Sequence, residues 1–197
     1  MTPIDFLTGR RSASSLAAPG PSPAQLQQIL RAAGSVPDHG LLRPFRFVVV
    51  ESDGRDAFGK ALAAAAAEHR PASPQGALEK MHAKAFRSPT IVVVIASIKP
   101  GKIEPWEQRV TAACAGYAVV LGAAATGIGA VWKSVPFTRG AALTEALGLA
   151  DSEEMLGFIH LGTATTDEPL PQRPPLDLAQ LASVLDGAGR RPFTPGG

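Results

Sequence analysis

The chain is poor in cysteine, in aromatic residues and in charge. Its single cysteine, Cys114, excludes an internal disulfide and any cysteine-rich metal site. Only 18% of its 197 residues are charged, against roughly 25% in an average soluble domain. A formal net charge of +2 removes the electrostatic case for nucleic acid, which calls for a strongly basic surface. No G-x-S-x-G elbow and no Walker loop occurs, so neither acyl transfer by a serine triad nor P-loop chemistry has local support. No Cys/His/Asp/Glu spacing suggests a metal.

Charge is missing most conspicuously between Arg109 and Lys133, where Val110–Trp132 forms a 23-residue uncharged run. Its length would license a membrane span. Its composition does not, because Ala, Gly and Thr contribute far less to insertion than Leu, Ile or Phe. The run reads as a buried helix followed by a turn and a strand, and no membrane association is expected. Residues 1–20 hold Arg10 and Arg11 and no apolar stretch of signal-peptide length, which points to a cytoplasmic protein.

The length suits one domain over 1–197, with a Pro-rich C-terminal extension over 166–197. Gly and Pro, at 20 and 18 residues, stay below the range of low-complexity disorder. A short helix is expected at Ile4–Thr8. Ser22, Pro23 and Gln25 form a capping box, and Leu26, Ile29, Leu30 and Ala33 share one helical face. Phe45–Glu51 reads as a strand whose valine run suits burial on both faces. Helices follow near Arg55–His69 and Pro74–Phe86, then a strand at Thr90–Ala96. A long helix is expected over Pro105–Ala125 and a short strand over Gly129–Lys133. A helix over Thr138–Leu147, a strand over Leu156–Thr163 and an amphipathic stretch over Asp177–Leu185 complete the chain. This mixture fits an α+β sandwich with one sheet covered by helices on both faces.

Several clusters carry possible chemistry, each with a structural alternative. Arg10-Arg11-Ser12-x-Ser14-Ser15 offers guanidinium forks and hydroxyls suited to a phosphate, or it is a solvated turn. His39, in the loop Pro37-Asp38-His39, either binds a ligand or bonds to its own loop. Gly127-Ile128-Gly129-Ala130-Val131-Trp132-Lys133 lets a flat ligand approach the backbone, or it is a helix stop and a tight turn. Trp106 and Glu107 open the long helix, as a hydrophobic staple and a charge that complements the dipole. Cys114 reads as a small packed residue. No side chain is nominated as a catalytic acid, base or nucleophile.

Taken in order, these pieces resemble the FMN-dependent nitroreductase family, in its short bacterial NAD(P)H nitroreductase subgroup. The resemblance rests on Arg10-Arg11-Ser12, then Arg31-Ala32-x-x-x-x-Pro37-Asp38-His39 and Pro44-Phe45-Arg46-Phe47. It continues through Trp106-Glu107-Gln108, Gly127-x-Gly129-x-x-Trp132-Lys133-Ser134 and Gly157-Phe158-x-x-Leu161-Gly162-Thr163, and spans about residues 4–165. It implies a sandwich with a mostly antiparallel central sheet flanked by helices, assembled as a homodimer with FMN at the interface. Arg10, Arg11 and Ser12 would hold the phosphate and ribityl region, Ser35 and His39 would contact the flavin from one side, and Val131, Trp132 and Lys133 would line it further. The segment Leu121, Gly122, Ala123, Ala124, Ala125 and Thr126 would receive NAD(P)H. The implied activity moves reducing equivalents from NAD(P)H through flavin to a nitroaromatic, quinone or similar electrophile by a ping-pong mechanism. Alternatives are a dimeric flavin-binding or storage protein with little turnover, or a related flavin enzyme of the dehalogenase or flavin-fragmenting type.

Overall fold

The structure, a computed structural model, describes residues 2–165, 174–187 and 189–194. The chain forms two compact units, Met1–Asp167 and Glu168–Gly197. The first begins with α1 (Pro3–Gly9), whose first turn is closed by a capping box between Thr2 and Asp5. A two-residue strand β1 (Leu16–Ala17) precedes α2 (Pro23–Arg31), whose capping box pairs Ser22 with Gln25. Then come β2 (Phe45–Glu51), α3 (Gly54–His69), α4 (Gln75–His82), a 3-10 turn over Ala83–Phe86 and β3 (Thr90–Ser97). The unit closes with α5 (Pro105–Ala125), β4 (Gly129–Lys133), α6 (Ala141–Leu147) and β5 (Glu153–Ala164).

These strands make one antiparallel sheet in the order β1-β5-β3-β2, with β4 beside β1 on the outer side of β5. β3 is buried at every position, which its continuous Ile/Val run requires. One face of the sheet carries Val50, Ile91, Val93, Ile95 and Phe158 against Phe58, Leu62 and Ala65 of α3 and Leu143 of α6. The other carries Val92, Val94, Ile159 and Leu161 against Ala115, Val119 and Ala123 of α5 and Ile29 of α2. Small residues let α5 lie close to the sheet. A Cβ at Gly116 would fall 2.2 Å from the Trp132 ring, and one at Gly157 would fall 2.5 Å from Trp132 Nε1. The indole is therefore wedged between two glycines, one on α5 and one on β5. Among the described residues no helix is long and apolar enough to cross a membrane, and Val110–Trp132 is indeed helix, turn and strand.

The second unit holds a single helical turn, α7 (Leu178–Leu181), and a hairpin of β6 (Ser183–Asp186) with β7 (Gly189–Pro192). The stretch Asp177–Leu185 thus changes from helix to strand midway.

Three further expectations need correction. The valine run of β2 is not buried on both faces: β2 is an edge strand, and Val49 remains 37% exposed. The helix expected from Thr138 begins only at Ala141, because the Arg139 guanidinium is bonded to the carbonyls of Ala150 and Glu153 and Gly140 takes an extended conformation. Trp106 does not staple its helix to the core but stands in the open, 64% exposed.

Candidate functional site

The site grows from the turn that ends α5. Gly127 takes a left-handed φ of 75°, a conformation glycine adopts without steric penalty. This lets the Ile128 N–H reach the Ala123 carbonyl (2.9 Å) and the Gly127 N–H reach that of Ala124 (3.2 Å), a Schellman closure. The chain then enters β4 in register with β5, Val131 opposite His160, Trp132 opposite Ile159 and Lys133 opposite Phe158. Because side chains alternate along a strand, Val131 and Lys133 share the face of His160. Trp132 points the other way, under α5.

The segment after α1 runs along the outer edge of β4, where the Ala13 N–H donates to the Ala130 carbonyl at 3.0 Å. It closes a cavity of about 610 Å³ walled by Ser12, Ser14, Ser15, Val131, Lys133 and His160, with Phe86 and Arg87 opposite. Among the described residues no carboxylate lines it. Lys84 stands near enough that burial, Arg87 and Lys133 together lower its pKa. Two cations, Arg87 and Lys133, thus line the cavity, and Lys84 stands within electrostatic reach of both.

His160 is 1% exposed. Its Nδ1 lies 2.8 Å from Ser88 Oγ, which is also 2.8 Å from the Thr90 carbonyl. A hydroxyl has one proton. If Ser88 donates it to the carbonyl, His160 must donate from Nδ1, and Nε2 is left as a bare acceptor. That atom is buried and has no hydrogen-bond partner among the described residues. Burial, with Arg87, Lys133 and Lys84 nearby, pushes the imidazole pKa down to about 4, so the ring is neutral at pH 7.

The two arginines of the opening cluster have different surroundings. Arg11 Nη1 donates to the carbonyls of Thr8 (2.8 Å) and Arg10 (3.1 Å) and so closes the end of α1. Arg10 lies with its guanidinium carbon 6.0 Å from the Tyr117 ring centroid, and its Nε and Nη1 are buried without a hydrogen-bond partner among the described residues. Buried polar groups are paired in the great majority of cases. A guanidinium in this state is ready for an anion.

The remaining candidates lie elsewhere. His39 is exposed and 3.1 Å from Glu107 Oε2, at the rim of a second hollow of about 270 Å³ that includes Trp106, Val110, Thr111 and Cys114. Cys114 is accordingly half-buried in a wall. The loop that carries His39 is fixed by Asp38, whose carboxylate accepts from the N–H groups of Leu42 and Arg43. Leu41 and Arg43 take positive φ values of 53° and 46° there, which is unusual for such residues. Ser35 is exposed and donates to the Ala32 carbonyl. In the segment Leu121–Thr126, Gly122 lies against α2, where a Cβ would meet the Ile29 carbonyl at 3.0 Å. Ala123 is fully buried, and the Thr126 hydroxyl bonds back to Gly122 and Ala123.

The fold thus brings Ser12, Val131 and Lys133 into one cavity and leaves His39 at another. Lys84, Arg87, Ser88 and His160 were not anticipated. His160 had a signal, as the one ionisable residue inside the apolar run of Leu156–Thr163. Lys84, Arg87 and Ser88 had none, since only the pairing of β3 with β5 brings them there.

An antiparallel sheet in this order, covered by helices on both faces, is a nitroreductase-like α+β fold. Two solved structures share it. A nitroreductase-like protein from Bacillus cereus superposes with a TM-score of 0.77 at 20% identity, covering 95% of this chain and 97% of that one. A nitroreductase from Bacteroides fragilis, crystallised with bound FMN, gives a TM-score of 0.70 at 20% identity over 88% and 94%. The "Nitroreductase family" model matches residues 7–163. The Escherichia coli (strain K12) protein named "Putative NAD(P)H nitroreductase YdjA" is 38% identical over 164 residues, 83% of this chain and 88% of that one. The chain belongs to the Nitroreductase family.

Proposed function

We propose that the protein is a cytoplasmic, homodimeric FMN-dependent oxidoreductase. The observation that carries this reading is Arg10, whose Nε and Nη1 are buried with no hydrogen-bond partner among the described residues, at the position where the family resemblance puts the FMN phosphate. Such a group suits a phosphate, to which arginine donates parallel charge-assisted bonds. Ser12 lies two residues on, at the lip of the cavity along β4. Val131 and Lys133 offer that cavity an apolar wall and a charge. Bound FMN supplies the redox chemistry, accepting a hydride from NAD(P)H and passing two electrons to a nitroaromatic, quinone or similar acceptor in a ping-pong sequence.

The protein's part is to bind, orient and shield. No side chain of the cavity needs to act as acid or base, because hydride and electron transfer belong to the cofactor's own chemistry. The homodimer is supported by α5, which leaves Trp106, Val110 and Tyr117 exposed along one side, an apolar stripe of the kind that marks an interface. It would bring His39 and Ser35 of one protomer to the cofactor of the other, which accounts for His39 standing at a hollow apart from the cavity along β4.

The absorption spectrum of the purified protein tests the reading. A flavin band that NADH or NADPH bleaches without oxygen is expected. A colourless protein that takes up no FMN on reconstitution overturns it, and a monomer by light scattering at micromolar concentration overturns the dimer.

A further inference from the structure

Arg10 and Tyr117 come from distant parts of the chain. Arg10 ends α1, with its backbone N–H on the Phe6 carbonyl at 3.2 Å. Its side chain reaches α5, where the guanidinium carbon stands over the Tyr117 ring at 6.0 Å from the centroid. Tyr117 is the only tyrosine of the chain. The core does not call for it: α5 packs on the sheet through Ala115, Val119 and Ala123, and Tyr117 is 47% exposed.

The way an arginine is held decides what it can still bind. A carboxylate or a carbonyl holds it by taking up its N–H groups. Arg46 is held so, by Glu153 and the carbonyls of Leu147 and Gly148, and Arg11 by those of Thr8 and Arg10. An aromatic face attracts the cation through its quadrupole and takes no lone-pair hydrogen bond from it. Arg10 fits the second case, since its Nε and Nη1 are buried with no hydrogen-bond partner among the described residues.

We propose that Tyr117 is a positioning residue for the phosphate grip: its ring fixes the Arg10 guanidinium beside α5 while leaving Nε and Nη1 free to donate to the FMN phosphate. This rests on the function proposed above. A long side chain ordered in advance loses less freedom when its ligand arrives, so the ring acts on affinity through Arg10 and not by touching the flavin.

The test is a double-mutant cycle on the full chain, with FMN affinity read by flavin fluorescence. Tyr117→Phe, which keeps the ring, is expected to bind FMN as the unaltered protein does. Tyr117→Leu, which keeps an apolar side chain, is expected to weaken it about fivefold, the scale of a cation–π contact. In an Arg10→Ala background the same change is expected to cost nothing further, because the two residues act as one unit. A readout free of flavin is the NMR shift of the Arg10 side-chain protons in the protein without cofactor. Ring-current displacement is expected with Tyr117 and in Tyr117→Phe, and its loss in Tyr117→Leu. The proposal is overturned if Tyr117→Leu binds FMN unchanged, if Tyr117→Phe is weakened as much, which would give the role to the hydroxyl, or if the loss persists without Arg10, which would mean a direct contact with flavin or partner. A protein that takes up no FMN removes the redox reading, and the cycle is then read with inorganic phosphate. Weaker phosphate binding in Tyr117→Leu alone keeps the positioning role, and equal or absent binding overturns it.

Discussion

Glu153 and His160 are both buried polar residues on β5, near opposite ends of the strand. The Glu153 carboxylate accepts two bonds from the Arg46 guanidinium (2.8 and 2.7 Å) and a third from the Ala150 N–H (3.0 Å). Arg46 in turn donates to the carbonyls of Leu147 and Gly148. Every strong group at that end has a partner, and hydrogen bonding to Arg46 holds the Glu153 pKa down to about 2. His160 is held on one side only, with cations rather than an anion for company. The first arrangement is complete within the chain and ties α6 to the sheet edge. The second leaves His160 Nε2 without a partner among the described residues. Burial of a polar group does not by itself mark function, and the unfilled partner position is what separates the two ends.

The largest effect is expected at the complete end. Arg46→Met leaves the Glu153 carboxylate buried with only the Ala150 N–H and the Ser97 hydroxyl beside it and is expected to destabilise the fold by about 3–5 kcal/mol, the scale of breaking a buried pair. Urea denaturation measures it, and a loss under about 1 kcal/mol would show the pair to be solvated. Arg10→Ala, beside Tyr117 of α5, is expected to leave stability nearly unchanged and to cost about 1.5–3 kcal/mol of FMN binding, as for a charge-assisted hydrogen bond. Fluorescence titration of flavin reads it, and unchanged affinity removes Arg10 from the phosphate.

Acid separates the ends by pH. His160 is neutral in the fold, with its pKa lowered from 6.5 to about 4. Its contribution to stability is present above pH 6.5 and declines as pH falls toward 4, because the unfolded chain takes up the proton first. Glu153, lowered from 4.5 to about 2, contributes above pH 4.5 and loses that contribution between pH 4.5 and 2. Thermal melts of His160→Leu are therefore expected to lack the decline between pH 6.5 and 4 and to keep the one below it. The smallest effect belongs to the same variant at pH 7.5. Replacing a half-paired imidazole by an apolar residue of similar volume is expected to change stability by less than about 1.5 kcal/mol.

Sequence pattern gave the elements more reliably than the site. Phe45–Glu51 and Pro105–Ala125 were legible to the residue, since a valine run and a proline-opened helix are local signals. The start of β5 was not, because Glu153 and Glu154 read as loop until Arg46 and Arg109 are brought to them through space. β1 was missed for the same reason, as two residues become a strand only by pairing with Thr163 and Ala164. Ser12, Val131 and Lys133 could be named from the order of motifs along the chain. That Trp132 faces away from them follows from strand alternation alone. Lys84 and Arg87 are separated from Lys133 by almost fifty residues, and no local pattern joins them.

The two tryptophans make the protein its own optical reporter. Trp132, half-buried between Gly116 and Gly157 against the apolar core under α5, should emit at shorter wavelength and be less open to a dissolved quencher. Trp106, 64% exposed on the single chain, should emit at long wavelength and yield to the quencher when no partner covers α5, and be shielded in the proposed homodimer. Dilution that separates two protomers would change the second signal and leave the first untouched, whereas unfolding would merge them. One cuvette can then distinguish loss of the partner from loss of the fold, with no label attached.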